Sequence, residues 1–211
     1  DVINMSLGGR LNRRGGWDDN GTPDESDDVW LTAREVAATV NALKRAVAYA
    51  HASGAVVVAA AGNAGIDGDH DADLIVLPAQ LPKVLSISAT APIGWGLDPT
   101  VDLDNLASYS NYGQSEIDFA APGGDGQAYP AAFWQRDLVI GAVPLGWSLF
   151  SGTSMASPHA AGVAALIFGE DPDLSPSQVA ARMRRGADDL GKPGRDDVYG
   201  HGRVNAYESV R

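Results

Sequence analysis

With 211 residues, 45% of them hydrophobic, the chain is long enough for one or two domains with a real core. It has no cysteine, which excludes disulfides, thiolate metal sites and a cysteine nucleophile. No apolar run reaches the length of a membrane span, and 15 basic against 27 acidic residues give a net charge of −12. A charge of that sign disfavours nucleic acid and anionic membranes as partners and favours solubility and cation binding.

The chain opens on Asp1-Val2-Ile3-Asn4 with no visible signal peptide, so a piece cut from inside a longer protein is expected. Val2 to Leu7 reads as a buried, parallel strand closed by Gly8-Gly9. Residues 10–31 read as one long loop, rich in Gly, Asn and Asp, with Asp18, Asp19, Asp24, Glu25, Asp27 and Asp28 giving a solvated acidic surface or a cation site. Thr32 and Glu35 form a capping box, and Val36, Val40, Leu43, Val47 and Ala50 follow the rhythm of an amphipathic helix that Gly54 stops. Ala55 to Ala61 is a continuous apolar strand ended by Gly62-Asn63. Strand, helix and strand make a right-handed βαβ unit, and the fold class expected is α/β.

Asp67, Asp69, Asp71 and Asp73 alternate with other residues, a spacing at which hard oxygen ligands can wrap a calcium ion. Calcium and a merely hydrated loop both stay open. An EF-hand is rejected, because its glutamate position is filled by Pro78. Leu74 to Pro78 turns into a third strand, Val84 to Thr90, and the Leu77–Pro78 bond is a candidate for the cis form. Residues 91–107 read as a loop, Ile117 to Ala121 as a strand, and Leu138–Val143 with Gly146–Phe150 as a hairpin across Pro144. Ser175-Pro176-Ser177-Gln178 is a second capping box, opening a helix to about Arg185.

The chemistry gathers at Phe150-Ser151-Gly152-Thr153-Ser154-Met155-Ala156-Ser157-Pro158-His159. A small, polar, Gly-bearing loop runs there into a small, apolar helix, and so sets Ser154 on a helix's first turn. Unpaired N–H groups and the positive dipole end favour a developing anion at that place. Asn63, just past the end of a parallel strand, is a side-chain amide able to face the same oxygen. An isolated Gly-Asn is ordinarily a turn; beside the serine loop it becomes an oxyanion donor paired with a nucleophile.

In these segments the chain resembles the subtilisin-like serine proteases, the subtilases. Asp1 to Gly9, Val56 to Asn63 and Gly152 to His159 match three family segments in the family's order. Pro78-Ala79, Ala121-Pro122-Gly123 and Gly200 to Asn205 fit as well. The resemblance implies a three-layer fold, a mostly parallel sheet with helices on both faces, lacking the early strands. Residues 1–211 would then be a partial subtilase catalytic domain. It implies a secreted serine endopeptidase acting on polypeptides by acyl-enzyme chemistry, with no organic cofactor. Ser154 would be the nucleophile, and its backbone N–H would form the oxyanion hole with Asn63. Ser6, Leu7 and Gly8 would carry the substrate strand. Ala60, Ala61 and Gly62 would wall the pocket for the residue before the scissile bond, and Thr153 joins the substrate-binding set. The family often has glycine where Val76 stands, so a shallower pocket for a smaller apolar residue is expected.

The family's acid and base precede the serine in the order Asp, His, Ser. Neither the Asp-Thr/Ser-Gly nor the His-Gly-Thr motif occurs here. Both are expected on an N-terminal part of the same catalytic domain, as a partner in a separate chain or otherwise. His159 is more than a turn from Ser154 and is structural in the family; His51, His70 and His201 have no identifiable partner for base work. Without a base the serine stays protonated and weak, which leaves an inactive, truncated binding module as the alternative. A third reading, an unrelated α/β binding protein, fits poorly, because Gly62-Asn63-Ala64-Gly65 is no G-x-G-x-x-G phosphate loop and Ala156 breaks the G-x-S-x-G elbow of α/β-hydrolases.

Overall fold

The computed structural model describes residues 1–18, 22–126 and 133–211. In chain order its strands are β1 (Val2–Met5), β2 (Gly9–Asn12), β3 (Gly15–Asp18), β4 (Val29–Thr32), β5 (Val56–Ala60), β6 (Leu74–Leu77), β7 (Val84–Ala91), β8 (Asn105–Leu106), β9 (Phe119–Pro122), β10 (Val139–Val143) and β11 (Gly146–Phe150). The helices are α1 (Ala33–Ala52), α2 (Thr153–Glu170), α3 (Pro176–Gly186) and α4 (Ala206–Val210), with a 3₁₀ turn at Trp134–Asp137.

The central sheet runs β1-β5-β7, with β9 parallel to β7 and the two-residue β8 antiparallel to it. The β1–β5 and β5–β7 pairings are parallel, so the sheet is mostly parallel, as expected. Its middle strand explains the three layers. In β5, Val56 and Val58 point into the core beneath α2, whereas Val57 and Ala59 point into the core beneath α1. Alternate residues leave a strand on opposite faces, and a strand buried on both reads as an unbroken apolar run. Helix α1 contributes Val36, Val40 and Val47 to one core; α2 contributes Ala156, Ala160, Ala164 and Ile167 to the other. Both capping boxes form. The Thr32 side chain accepts from the N–H of Glu35, and the Ser175 side chain accepts from that of Gln178.

The segment 10–31 is not a plain loop. β2 pairs antiparallel with β6, and β3 with β4, where Trp17 faces Trp30 in a T-shaped contact at 5.5 Å. The glycines and aspartates hid these strands, because each is a strand only through a partner more than ten positions away, residues 74–77 for β2 and residues 29–32 for β3. Asp19 of the expected acidic surface lies outside the described residues. Leu74–Leu77 is likewise a strand of its own rather than a turn into the next, and the Leu77–Pro78 bond is cis. No helix among the described residues is long and apolar enough to cross a membrane.

Candidate functional site

β5 ends at Ala60, and the chain turns sharply at Gly62, whose φ is +106°. Only glycine suits this position twice over: the φ is left-handed, and a Cβ would lie 2.5 Å from the Asn111 amide nitrogen. Asn111, which is 5% exposed, fastens the turn. Its amide donates to Ala61 O at 2.8 Å, and its Oδ1 accepts from the N–H groups of Ala64 and Ile66 at 3.0 and 3.1 Å. Asn63 is thereby held just beyond the strand end.

The second half of the site comes from the start of α2. Gly152, with φ +147° and ψ 157°, precedes the helix, and Thr153 and Ser154 form its first turn. Thr153 is fully buried. Its N–H and its hydroxyl both donate to Asn63 Oδ1, at 2.9 and 2.7 Å, and its hydroxyl oxygen accepts from Gly62 N–H at 3.1 Å. With Oδ1 taken twice, the Asn63 amide is oriented, and its Nδ2 hydrogens have no partner among the described residues. A Cβ on Gly152 would lie 3.4 Å from Asn63 Nδ2 and 3.6 Å from Ser154 N. Two donors therefore flank one point in space that only the missing side chain of glycine leaves open. Helix-start N–H groups and the dipole add to the same positive field.

Ser154 sits beside the segment that follows β1. Ser6 Oγ donates to Ser154 O at 2.7 Å, and Ser154 Oγ donates to Ser6 O at 3.4 Å. A backbone carbonyl cannot take the hydroxyl proton away, so this contact orients Ser154 without activating it. None of the four histidines bonds Ser154. His159 turns its Nδ1 to Met155 O at 2.8 Å. His70 bonds Asp67 at 2.8 Å, an interaction that raises its pKa. His51 and His201 are both lowered, by burial first and then by neighbouring cations.

A cleft of about 410 Å³ joins these parts, lined by Leu7, Gly8, Gly9, Ala60, Gly62, Asn63, Val76, Asn111, Thr153 and Ser154, among others. Of the residues expected at the site, Ser154, Asn63, Leu7, Gly8, Ala60, Gly62 and Thr153 thus line one space. Ser6 reaches it through Ser154. Ala61 is 3% exposed, and its carbonyl is held by Asn111. Asn111 carried no recognisable signal in the sequence, because its bonds span some fifty positions of chain. Arg10, also on the cleft wall, belongs to a stretch that reads as loop from sequence because its strand partner is 66 positions away.

The four alternating aspartates do not come together. Asp67 faces His70, and Asp69 accepts from Gln114 N, Ser115 N and Ser115 Oγ. Asp73 pairs with Arg14 at 2.9 Å, and the Asp71 carbonyl accepts from Leu74 N. No group of three or more potential metal ligands gathers among the described residues. The donor set does not fit calcium, which needs six to eight converging oxygens.

The sequence profile of the subtilase family, peptidase S8, matches residues 1–202. Subtilisin DY of Bacillus licheniformis is 37% identical over 207 residues, which is 97% of this chain and 55% of that protein. Serine protease AprX of Bacillus subtilis is 35% identical over 175 residues, 80% of this chain and 38% of that protein. The chain thus spans about half the length of the curated relatives it matches. Among solved structures, a lanthipeptide protease superposes with a TM-score of 0.75 at 31% identity, covering 99% of this chain and 60% of that one. The epidermin leader peptide processing protease EpiP of Staphylococcus aureus, at 23% identity and a TM-score of 0.74, bears on the fold alone. With the family profile matched over residues 1–202 and a mostly parallel sheet between helices, the chain belongs to the subtilase family.

Proposed function

We propose that this chain carries the nucleophile and oxyanion hole of a secreted serine endopeptidase. Ser154 Oγ attacks the carbonyl carbon of a polypeptide substrate, and the carbonyl oxygen becomes an oxyanion between Ser154 N–H and Asn63 Nδ2. The C–N bond breaks as the amine takes up the proton that the base removed from Ser154, and an acyl-serine remains, which water then hydrolyses. The substrate lies extended along Ser6, Leu7 and Gly8. The base that takes the Ser154 proton, and the aspartate behind it, come from the N-terminal part of the same catalytic domain. The observation that carries this reading is the pair of hydrogen bonds that Thr153 donates to Asn63 Oδ1, which turns the Asn63 amide toward the point also faced by Ser154 N. Donors fixed in advance at the place where charge develops are the largest single contribution in acyl transfer.

A serine-reactive phosphonate applied to the native preparation, with intact mass measurement, tests it. Label is expected on Ser154 where the polypeptide bearing the Asp and His motifs accompanies this chain. Absence of label in that assembly sinks the reading. One observation favours a second reading, an inactive module that binds peptides: no base faces Ser154 among the described residues. Retention of a peptide in the cleft without hydrolysis in the complete assembly would decide for it.

A further inference from the structure

We propose that Arg10 makes the cleft select an acidic side chain, glutamate or aspartate, at the substrate residue whose carbonyl is attacked. The proposal rests on the reading of the cleft as a peptide site and names the substrate class it takes.

In β2, Leu11 packs against the core beneath α1, and its neighbour Arg10 lines the cleft. The register pairs Arg10 with Val76, and cross-strand partners share a face. Val76 is 5% exposed; it belongs to the core beneath α1 and also lines the cleft together with Arg10. Gly8 and Gly9 on one side and Ala60 and Gly62 on the other leave room for an entering side chain. Arg10 is the only ionisable side chain among the described residues that line this space.

Its guanidinium has no hydrogen-bond or ion-pair partner among the described residues. The neighbouring arginines are engaged: Arg13 Nε donates to Leu74 O at 3.3 Å, and Arg14 pairs with Asp73 at 2.9 Å. In a chain with 27 acidic residues against 15 basic, an arginine left unpaired beside the nucleophile is conspicuous. Five donors in a planar fork match a carboxylate in two parallel bonds. Salt screens the net charge of −12 beyond a Debye length of about 8 Å, so the distant acidic residues do little to repel an acidic peptide. Within the cleft the arginine's own charge governs. The small apolar preference expected from Val76 alone therefore yields to a charged one.

The test uses the complete catalytic assembly and matched peptides that differ only in the residue before the cleaved bond: Glu, Asp, Gln or Leu. Glutamate and glutamine have the same shape, so their kcat/KM ratio isolates the charge. A ratio of about 10 to 100 is expected for the wild type, the scale of a hydrogen bond to a charged group. The ratio should collapse toward one in R10Q, and part of it should survive in R10K. Cleavage of Glu and Gln peptides at equal rates overturns the inference and leaves the protease reading standing, as does a ratio unchanged in R10Q. Failure to cleave any peptide of the set overturns both.

Discussion

Asn111 donates its side-chain amide to the carbonyl of Ala61 across 2.8 Å while its Oδ1 accepts from the N–H groups of Ala64 and Ile66. One buried side chain thus closes the turn that presents Asn63. Truncation in N111A leaves two backbone donors and one acceptor without partners in a tight place. A loss of about 1–3 kcal/mol per buried unsatisfied group sets the scale. N111A should lower the midpoint of chemical denaturation, and at temperatures where it stays folded it should also reduce kcat, because Asn63 is no longer held. N111D keeps the acceptor and loses the donor, so it should fall between the two. Equal activity in N111A and wild type would separate Asn111 from the site.

Asn63 is predicted to act on turnover more than on binding. In the proposed reaction its Nδ2 faces a charge that exists only after attack, so N63A would remove an interaction made in the transition state. A fall in kcat of ~10²–10³ with little change in KM is expected, the cost known for the oxyanion asparagine of subtilisin, a member of the same family. Steady-state kinetics on the complete assembly decide it. A rise in KM alone would assign Asn63 to ground-state binding.

Thr153 is expected to work through Asn63 rather than on the substrate, although the family resemblance places it among the substrate-binding residues. It lines the cleft, but its hydroxyl is committed to Asn63 Oδ1 at 2.7 Å and to Gly62 N–H at 3.1 Å. T153V preserves the shape, removes both bonds and leaves the Gly62 N–H unpaired. It should cost about 1–3 kcal/mol of stability and lower kcat. T153S, which keeps the hydroxyl, should restore most of the turnover. A T153V defect confined to KM would point to direct substrate contact instead.

What was legible in the sequence was what local chemistry specifies. The capping residues Thr32 and Ser175 announce their helices, because their partners stand three positions away. Val56 to Ala60 announces a doubly buried strand by its unbroken apolar run. The Gly152–Ser154 turn and the hairpin over 139–150 were legible for the same reason. Strand β2 was not, since Gly9–Asn12 is a strand only because residues 74–77 lie alongside it. Arg10 and Asn111 share that fate: each gains its meaning from a partner that nothing nearby in the chain predicts. The four alternating aspartates misled in the opposite sense. Their spacing suggests one ion, but the folded loop sends the carboxylates of Asp67, Asp69 and Asp73 to three different neighbours and engages Asp71 only through its backbone.

Arg203 ties the end of the chain to the body of the fold, and its loss is predicted to depend on pH. Its guanidinium donates to Asp104 at 2.6 Å and also pairs with Asp188, which accepts from Asn205 as well. Burial raises the Asp188 pKa, but the bonds from Asn205 and Arg203 outweigh it and the net direction is down. A carboxylate lowered by folding contributes stability above its unfolded pKa, and that contribution is lost as pH falls through the folded value. R203M should therefore be destabilised at neutral pH by about 1–3 kcal/mol, less than for a fully buried pair because the site is partly solvated. The gap in Tm between R203M and wild type should narrow as pH falls below the ordinary aspartate range. A gap independent of pH would mean that packing of the arginine stem, not charge, is what is lost.

Asp69 and Asp71 should respond differently to substitution, and neither response should depend on calcium. Asp69 accepts from Gln114 N at 2.6 Å and from both the N–H and the hydroxyl of Ser115, joining the loop after β5 to the one before β9. The Ser115 hydroxyl first, then the Ser115 and Gln114 N–H groups, hold its pKa down. The Asp71 carboxylate has no such contacts among the described residues; its backbone alone is engaged. D69N turns an ionised acceptor of three bonds into a neutral amide and should lower Tm. D71N should leave Tm within the usual range for an exposed site. If the loop wrapped calcium, both would weaken the cage, and wild type would lose stability in chelator by an amount each variant no longer shows. With the carboxylates dispersed, the Tm difference between D71N and wild type should be the same in excess calcium and in chelator. A difference present in calcium and abolished by chelator would show that the four aspartates close around an ion after all.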